Sequence, residues 1–441
     1  MRLRFWTLAN AIRLWPPLDE SRLASAYRAV LDANPTLRSS FFERDGGIEV
    51  RLLPSESFAV EQIDAMRWTA EHTRAAASAI AYDLADPENG PLVSLTHYRE
   101  RDASVLLLRF NHAIVDGTAV LLMIHQLIAA YLSGQAPNAA RTGNFREFAD
   151  WQSAFVNSDA GARQFAYWKR QLAGLPPPLP LPYDRPYDKS FTDGRFVSRA
   201  IEPQIARAVR ASARRFGTPL FRILWAGFNI ALTAMTGVDD APIACSIVNR
   251  TRRAFRETIG WLANGVSLRC DIRPEDSVRS YCLRVSTMID EALANQDYPR
   301  NLIDDSVRAE FPDMPSALDQ IGFAVSMPLW EDELGVNPLM AQSAGRWGDF
   351  AFEMLNLDLR ECVRDLTVTV LDVPDPAGEP AMSIALNYRA DAFDETTIER
   401  VGALYERGLL LMTDADDRPV SGIVQQLRDE FSDLRPGRHA R

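Results

Sequence analysis

A proline-rich stretch near the middle of the chain constrains the fold more than any other feature. Residues 174–194 read GLPPPLPLPYDRPYDKSFTDG, and prolines at this density favour an extended, semi-rigid path over a helix or a sheet. Such a segment is either a proline-rich recognition tail or a connection between two folded parts. Because sequence with folded character continues on both sides, we favour the connection. We predict an amino-terminal lobe over 1–176, a linker over 177–194 and a carboxy-terminal lobe over 195–441.

Helical and strand-like segments alternate on both sides of this linker. Leu18–Asn34 carries its apolar residues on one helical stripe and stops before Pro35, since proline does not continue a helix. Ser104–Phe110 is an apolar run typical of a central strand, and the strongly apolar helix Thr118–Leu132 follows it. This alternation predicts an α/β fold.

Composition and charge narrow the functional classes. Of the 441 residues, 47% are hydrophobic and 24% are charged, which is the balance of a soluble globular protein. The 48 basic and 59 acidic residues give a net charge of −11, so we expect no nucleic-acid partner. The longest apolar run, around Ala119–Leu132, is too short and too polar to span a bilayer, and we expect no membrane partner.

Cysteine usage and missing motifs narrow the classes further. Cys245, Cys270, Cys282 and Cys362 form no C-x-x-C pair and have no histidine at ligand spacing, so we expect buried free thiols and no metal site. The amino terminus lacks the layout of a signal peptide, and a reducing cytoplasm is the expected location. G-x-S-x-G, P-loop, G-x-G-x-x-G and H-E-x-x-H motifs are absent, which argues against a serine hydrolase, an NTPase, a dinucleotide enzyme and a zinc protease.

The segment Asn111–Gly117, NHAIVDG, carries the strongest chemical signal. It joins the predicted central strand to the apolar helix, and such loops often present catalytic side chains. An imidazole titrates near neutral pH, so His112 is a candidate general base for an attacking amine or hydroxyl. A structural interpretation stands beside this one, in which Asp116 caps the following helix and Gly117 relieves a tight turn.

Four further segments accompany NHAIVDG along the chain. In order of sequence, these segments are YDLADPENGPLVSL, YWKRQLAGLPPPLPLPYDRP, PIACSIVNRTRRAFRETIGWLANGVSLR and NYRADAFDETTIERV. Together, over almost the whole chain, they resemble the condensation domains of nonribosomal peptide synthetases, which are relatives of the chloramphenicol-acetyltransferase-like acyltransferases. NHAIVDG matches the HHxxxDG motif of that family except at its first position.

The resemblance implies a role for each matching residue of the motif. His112 matches the functional histidine, and Asn111 replaces the histidine before it with an amide that forms hydrogen bonds but does not titrate. Asp116 matches a structural aspartate that pairs with an arginine, and Arg250 occupies the position of that arginine. Gly117 matches the glycine whose missing side chain leaves room for a pantetheine arm.

The resemblance also implies the architecture. It predicts two chloramphenicol-acetyltransferase-like lobes, each a mixed sheet flanked by helices, in a V-shape with a tunnel at their interface. Asn264 corresponds to an asparagine of the segment that crosses from the second lobe, and we expect it to line the tunnel or to bind substrate.

The implied function is that of a free-standing condensation enzyme in natural-product biosynthesis. It would join an acyl group, presented as a thioester on the phosphopantetheine of a carrier protein, to an amine or hydroxyl of a small molecule. We expect no bound cofactor, an acyl- or peptidyl-carrier protein as partner in trans, and a cytoplasmic monomer. Two alternatives stay open: an O- or N-acyltransferase that uses coenzyme A, and a catalytically silent domain that recruits a carrier protein or a tailoring enzyme.

Carrier proteins are usually acidic, so an acidic enzyme needs a local basic patch for docking. One candidate is the predicted helix that bears Arg207, Arg210, Arg214 and Arg215. An ordinary solvated helix face is the stronger interpretation of these arginines.

Overall fold

A computed structural model describes residues 7–83, 88, 90–137, 143–186, 193–310, 318, 320–326, 344–357, 362–372, 381–414 and 416–433. The helices in these residues are α1 (Glu20–Ala33), α2 (Ala70–Ile80), α3 (Gly117–Ser133), α4 (Phe145–Val156), α5 (Asp159–Gln171), α6 (Pro203–Phe216), α7 (Leu220–Thr236), α8 (Val278–Ala294), α9 (Arg300–Glu310), α10 (Glu395–Asp414) and α11 (Val420–Asp433). The strands are β1 (Thr7–Trp15), β2 (Ser39–Arg44), β3 (Gly47–Leu52), β4 (Val60–Asp64), β5 (Val93–Arg99), β6 (Ser104–Asn111), β7 (Gly194–Ala200), β8 (Ile243–Ile247), β9 (Asn264–Leu268), β10 (Ile321–Ser326), β11 (Ala344–Trp347), β12 (Phe350–Leu355), β13 (Leu366–Leu371) and β14 (Ser383–Arg389).

The described residues fall into two compact units, each with its own six-stranded sheet. The first unit takes the described parts of Met1–Ala154, Val248–Ala263 and Pro328–Asp358, and the second takes those of Phe155–Ile247, Asn264–Met327 and Leu359–Arg441. Two segments that follow the proline-rich stretch in sequence thus belong to the first unit. Residues 187–192 of the predicted linker lie outside the described residues. The lobe boundaries over 1–176, 177–194 and 195–441 stay a prediction.

The sheet of the first unit has the strand order β11-β12-β1-β6-β5-β4. Its neighbours are antiparallel except for the parallel pair of β4 and β5. Side chains alternate across β6, as they must in a strand. Leu106 and Leu108 pack in one buried cluster with α1 and α3, whereas Val105 and Leu107 pack in another with α2. Helices therefore cover both faces of the strand that leads into the NHAIVDG loop.

The sheet of the second unit has the strand order β7-β14-β13-β10-β8-β9. It is mixed, because β10 runs parallel to both β13 and β8 and the other pairs are antiparallel. The apolar helix α7 is buried along Ile223–Met235 and shares one large core cluster with the sheet. The two mixed sheets with their flanking helices confirm the predicted α/β fold.

The first half of the proline-rich stretch is bound to the sheet of the second unit. The side-chain carbonyl of Gln320 accepts a hydrogen bond from the Leu179 N–H at 2.7 Å, and its amide donates to the Tyr183 hydroxyl at 3.0 Å. The Tyr183 hydroxyl in turn donates to the carboxylate of Asp365 at 2.6 Å. Because Gln320 and Asp365 are buried, these bonds fix an otherwise irregular segment in place.

The cysteines lie in the interior of the protein. All four are free and buried, as predicted from the apolar segments that contain them, and burial raises the pKa of each thiol to about 12. Within the described part of the chain, no cluster of three or more His, Cys, Asp and Glu side chains is arranged to hold a metal ion. None of the helices described above combines the length and the apolar character that crossing a membrane requires.

Candidate active site

The NHAIVDG loop lies between the end of a central strand and the start of a helix. Strand β6 ends at Asn111, and α3 begins at Gly117. Asp116 is the residue before the helix, and its Oδ1 accepts a hydrogen bond from the Ala119 N–H at 2.7 Å. This bond satisfies one of the main-chain N–H groups that have no partner within the helix.

The carboxylate of Asp116 is buried and accepts hydrogen bonds on both oxygens. Arg250 binds it with two parallel bonds, from Nη1 to Oδ2 at 2.9 Å and from Nη2 to Oδ1 at 3.0 Å. The main-chain N–H groups of Leu262 and Ala263 donate to Oδ2 at 2.9 and 2.7 Å. With the N–H of Ala119, five bonds hold this carboxylate. A buried charge needs such compensation, so Asp116 ties the loop, α3 and residues 258–263 together.

Arg250 lies in a segment that folds around its guanidinium group. Nη2 also donates to the carbonyl oxygens of Thr258 at 3.1 Å and Gly260 at 3.5 Å. The preceding residue, Asn249, has a positive φ of 52° and donates from its side chain to the Leu262 carbonyl at 2.9 Å. Asparagine tolerates this left-handed conformation better than most residues, which explains how the chain turns sharply next to a buried arginine.

Asn111 stabilises the turn that carries His112. Its buried side-chain oxygen accepts a hydrogen bond from the Ala113 N–H at 2.9 Å, and its main-chain carbonyl accepts one from Ile114 at 3.1 Å. A neutral imidazole also offers one acceptor nitrogen. The amide of Asn111 therefore supplies an acceptor of the kind that a histidine at this position would offer.

The imidazole of His112 is half-buried and faces an indole. The ring centroids of His112 and Trp261 are 4.6 Å apart, and the ring planes are inclined by 38°. Trp261 is 38% exposed, so the indole covers one side of the imidazole and also presents apolar surface to solvent. Trp261 lies between Gly260 and Leu262 in the segment that resembles the family, but no motif of the sequence marks it as a site residue.

The start of α3 adds hydrogen-bond donors close in sequence to His112. Gly117 and Thr118 are the first two residues of the helix, where main-chain N–H groups have no acceptor within the helix. The helix dipole gives these groups a partial positive charge. Gly117 is thus the first helical residue, and it carries no side chain that could cover its main chain.

Asn264 lies in the second unit, at the start of β9. Its side-chain amide donates to the carbonyl oxygens of Gln296 and Tyr298, both at 2.8 Å. Its side-chain oxygen accepts from the N–H groups of Gly265 and Arg300, both at 2.9 Å. These four bonds fix the turn before α9 against β9. The tunnel or substrate-binding role of Asn264 stays a prediction.

Comparisons with known proteins agree on one family. The family model described as "Condensation domain" matches residues 2–424. Malpinin synthetase of Mortierella alpina is 27% identical over 439 residues, which cover 95% of this chain and 5% of that protein. The chain therefore spans a small fraction of the length of this curated relative.

Solved structures show the same fold. The X-domain from teicoplanin biosynthesis superposes with a TM-score of 0.81 at 19% identity, covering 95% of this chain and 92% of that one. A second structure shows that X-domain in complex with OxyB. The starter condensation domain of rhizomide synthetase, in complex with C8-CoA, superposes with a TM-score of 0.76 at 18% identity, covering 94% of this chain and 91% of that one.

Proposed function

Since the chain belongs to the condensation-domain family, we propose that it is an acyltransferase that joins a thioester-bound acyl group to an amine or hydroxyl. The observation that carries this proposal is the buried pair of Asp116 and Arg250. All five donors to the Asp116 carboxylate come from Arg250 and the main chain, so this residue anchors the loop. His112 is then the titratable side chain that a fixed loop presents for chemistry.

In the proposed reaction, His112 takes the proton of the nucleophile as it attacks the thioester carbonyl. The new amide or ester bond forms, the carbon–sulfur bond breaks, and the proton passes to the departing thiolate. The negative charge that develops on the carbonyl oxygen requires donors, and the N–H groups of Gly117 and Thr118 at the start of α3 are the candidates. Trp261 restricts the orientation of the imidazole by covering one of its sides.

The proposed donor is a thioester on the phosphopantetheine arm of an acyl- or peptidyl-carrier protein. Phosphopantetheine enters as part of the substrate, so the enzyme needs no resident cofactor for this chemistry. The acceptor is a small molecule with a free amine or hydroxyl. Asn264 is proposed to contribute to substrate binding in the second unit.

Product formation from an acylated carrier and an amine or alcohol tests the role of His112. His112→Ala is expected to lower the rate by about 10²–10⁴-fold, the usual contribution of a general base. His125→Ala is the matched control, since His125 is an exposed histidine on α3. Mass spectrometry of the carrier and the product follows both halves of the reaction. Equal product from the wild type and His112→Ala would rule out catalysis by this histidine.

A donor attached to coenzyme A is the second candidate, and the C8-CoA complex of the rhizomide domain favours it. Coenzyme A carries the same pantetheine thiol as a carrier protein, so His112 would play the same part. Replacing the acylated carrier by free acyl-CoA separates the two donors. Turnover with acyl-CoA at a rate equal to that with the carrier would support the coenzyme A alternative.

A recruitment domain without catalysis is the third candidate. The similarity to the X-domain, which has been captured with OxyB, and the presence of Asn111 in place of a histidine favour it. This candidate predicts carrier binding without product, and identical behaviour of the wild type and His112→Ala. Product that depends on His112 would exclude it.

A further inference from the structure

In the hairpin of β2 and β3, the outer edge of β3 has main-chain groups that could pair with another strand. Its two-residue turn, Asp45 and Gly46, has positive φ at both positions (52° and 77°), which is the conformation that matches the twist of two tightly joined strands. At its base, the Leu53 N–H donates to the Arg38 carbonyl at 2.8 Å. Hydrogen-bonded pairs in an antiparallel ladder alternate with non-bonded pairs. Every second residue of β3, counted back from Leu53, therefore forms main-chain hydrogen bonds with β2.

This alternation fixes which main-chain groups of β3 face outwards. Arg51 and Glu49 lie in bonded pairs with β2, opposite Ser40 and Phe42. The N–H and C=O groups of the intervening residues therefore point away from β2. These intervening residues are Ile48, Val50 and Leu52. The hairpin is a sheet of two strands, so none of the described residues pairs with this edge.

The same three residues present apolar side chains to solvent. Ile48 is 65% exposed, Val50 is 60% exposed and Leu52 is 51% exposed. Among the described residues, these are the three most exposed large apolar side chains. Edge strands are usually protected by charged side chains, lysine above all, by proline or by a bulge. Ile48–Leu52 contains no lysine or proline, and its two charged residues, Glu49 and Arg51, are opposite in sign.

The strand is complementary to itself. Its sequence, Ile48-Glu49-Val50-Arg51-Leu52, places opposite charges symmetrically about Val50 and apolar residues at the other positions. When two copies run antiparallel with Val50 opposite Val50, Ile48 lies opposite Leu52, and Glu49 lies opposite Arg51 on both sides. The outward-facing groups of Ile48, Val50 and Leu52 then form the bonded pairs. Glu49 and Arg51 fall in the non-bonded pairs, where opposed side chains are closest.

We propose that β3 is a self-association surface, at which two copies of this chain pair antiparallel about Val50 to form a four-stranded sheet β2-β3-β3-β2. The occupant of the edge is a second copy because both the charges and the apolar residues match under this one register. A symmetric pair of this kind closes on itself and gives a dimer. This proposal differs from the monomer expected from the sequence and is independent of the proposed function.

The strand contact is short, so the dimer is weak and depends on concentration. A pairing of five residues a side covers less surface than a stable dimer interface requires. Two local contacts must adjust, because Glu49 pairs with Arg44 at 3.2 Å and the Arg51 guanidinium lies 4.1 Å from the centre of the Phe42 ring. The ion pair between Glu49 and Arg44 is exposed, so turning Glu49 towards a partner costs little.

A cycle of charge reversals tests both the surface and its register by sedimentation velocity over a concentration series. Glu49→Arg or Arg51→Glu places like charges opposite each other twice, and each is expected to raise the dissociation constant about tenfold or more. The double variant Glu49→Arg/Arg51→Glu restores both attractive pairs and is expected to dimerise like the wild type. An equimolar mixture of the two single variants is expected to form the heterodimer, because one strand is then basic and the other acidic.

Two further variants distinguish strand pairing from non-specific hydrophobic association. Val50→Lys places two ammonium groups at the symmetry axis and is expected to abolish the dimer. Leu283→Lys is the matched control, since Leu283 is 47% exposed on α8, and it is expected to leave the dimer intact. Circular dichroism melting checks that each variant is folded. A wild-type chain that stays monomeric throughout the series overturns the proposal, as does a dimer that the two reversals and Val50→Lys leave unchanged.

Discussion

The carboxylate of Asp116 and the imidazole of His112 lie in one loop, and we expect them to contribute differently to stability. Asp116→Ala leaves the guanidinium of Arg250 buried without its counter-charge and removes the cap of α3. Breaking a buried ion pair from one side costs ~3–5 kcal/mol. His112→Ala removes a half-buried ring and is expected to cost ~1 kcal/mol, which is typical of a point substitution. Urea denaturation of the two variants measures both values.

An exposed ion pair gives the control for this comparison. Asp305 and Arg308 lie 3.5 Å apart, and their side chains are 70% and 54% exposed. Asp305→Ala is expected to change the free energy of unfolding by less than ~0.5 kcal/mol, because water screens such pairs. A loss from His112→Ala that exceeds the loss from Asp116→Ala would contradict the structural role of the Asp116–Arg250 pair.

His97 makes stability depend on pH on the acidic side. Its imidazole is buried on β5 with Nε2 2.8 Å from the Ser104 hydroxyl, and burial lowers its pKa from 6.5 to about 4. The unfolded chain therefore binds a proton as pH falls below about 6.5, whereas the folded chain binds it only near pH 4. His97 contributes a loss of stability across this window, with a slope of up to ~1.4 kcal/mol per pH unit.

Replacing His97 by a side chain that does not titrate isolates this effect. His97→Gln is expected to flatten the pH dependence of urea denaturation between pH 6.5 and pH 4 relative to the wild type. His125→Gln, at an exposed position of α3, is expected to keep the wild-type slope. An unchanged slope in His97→Gln would show that other groups dominate the titration.

Part of the candidate site could be predicted from the sequence, and the rest could not. His112 and Asp116 stand in a short motif next to a helix start, and a local pattern of this kind is visible in one dimension. The N–H groups of Leu262 and Ala263 bind Asp116 across about 146 residues of chain, and the indole of Trp261 reaches His112 over a similar separation. No periodicity encodes such contacts, because they arise only when distant segments fold together.

At the scale of elements, the prediction succeeded where apolar residues run without interruption. The predicted helix Thr118–Leu132 corresponds to α3, and the predicted strand Ser104–Phe110 corresponds to β6. β1 was not predicted, because Arg13 interrupts its apolar pattern. In the structure Arg13 is buried between two carboxylates, those of Glu100 at 2.9 Å and Glu353 at 2.6 Å. A charged residue is compatible with a central strand only through partners that the local sequence does not reveal.

The segment 258–263 is an irregular element whose position depends on one glycine. A Cβ at Gly260 would clash with Cδ2 of Phe145 and would lie 2.8 Å from Cγ of the same ring. These atoms belong to a ring that packs beside Phe148 and Phe255, so they cannot move far enough to relieve the clash. Gly260→Ala is expected to cost ~1–3 kcal/mol, as overpacking does, and to loosen the contact of Trp261 with His112.

Two variants make this expectation specific. Phe145→Ala in the Gly260→Ala background removes the clash, so the two losses are expected to be non-additive by ~0.5–3 kcal/mol. Gly422→Ala is the control, because a Cβ at that position of α11 has no atom within 4 Å apart from its chain neighbours and the backbone of its own helix. Thermal melting gives the stabilities, and the rate of His112 modification by diethyl pyrocarbonate reports the indole cover. Strict additivity of Gly260→Ala and Phe145→Ala would show that the steric contact does not matter.

At the scale of the whole molecule, the net charge of −11 poses a problem for an enzyme that is proposed to bind an acidic carrier. The arginines of α6 are only partly free for this purpose, because Arg210 pairs with Asp372 and Arg215 pairs with Asp416. In the first unit, Arg253 and Arg256 are exposed and form no ion pair with any described residue. They lie three and six residues after Arg250 in the chain, and Trp261, which faces His112, lies five residues after Arg256.

Charge reversal at matched positions tests which arginines the proposed carrier uses. Arg253→Glu/Arg256→Glu is expected to raise KM for the acylated carrier about tenfold with little change in kcat, because charges outside the chemistry act on association. Arg207→Glu/Arg214→Glu makes the same change in net charge on exposed positions of α6 and is expected to raise KM less than about twofold. Added salt weakens attraction between charges, so KM of the wild type should rise with ionic strength while KM of the first double variant should not. A larger effect of the α6 variant would place the carrier on α6. Equal effects of the two double variants on KM would show that only the net charge of the enzyme matters.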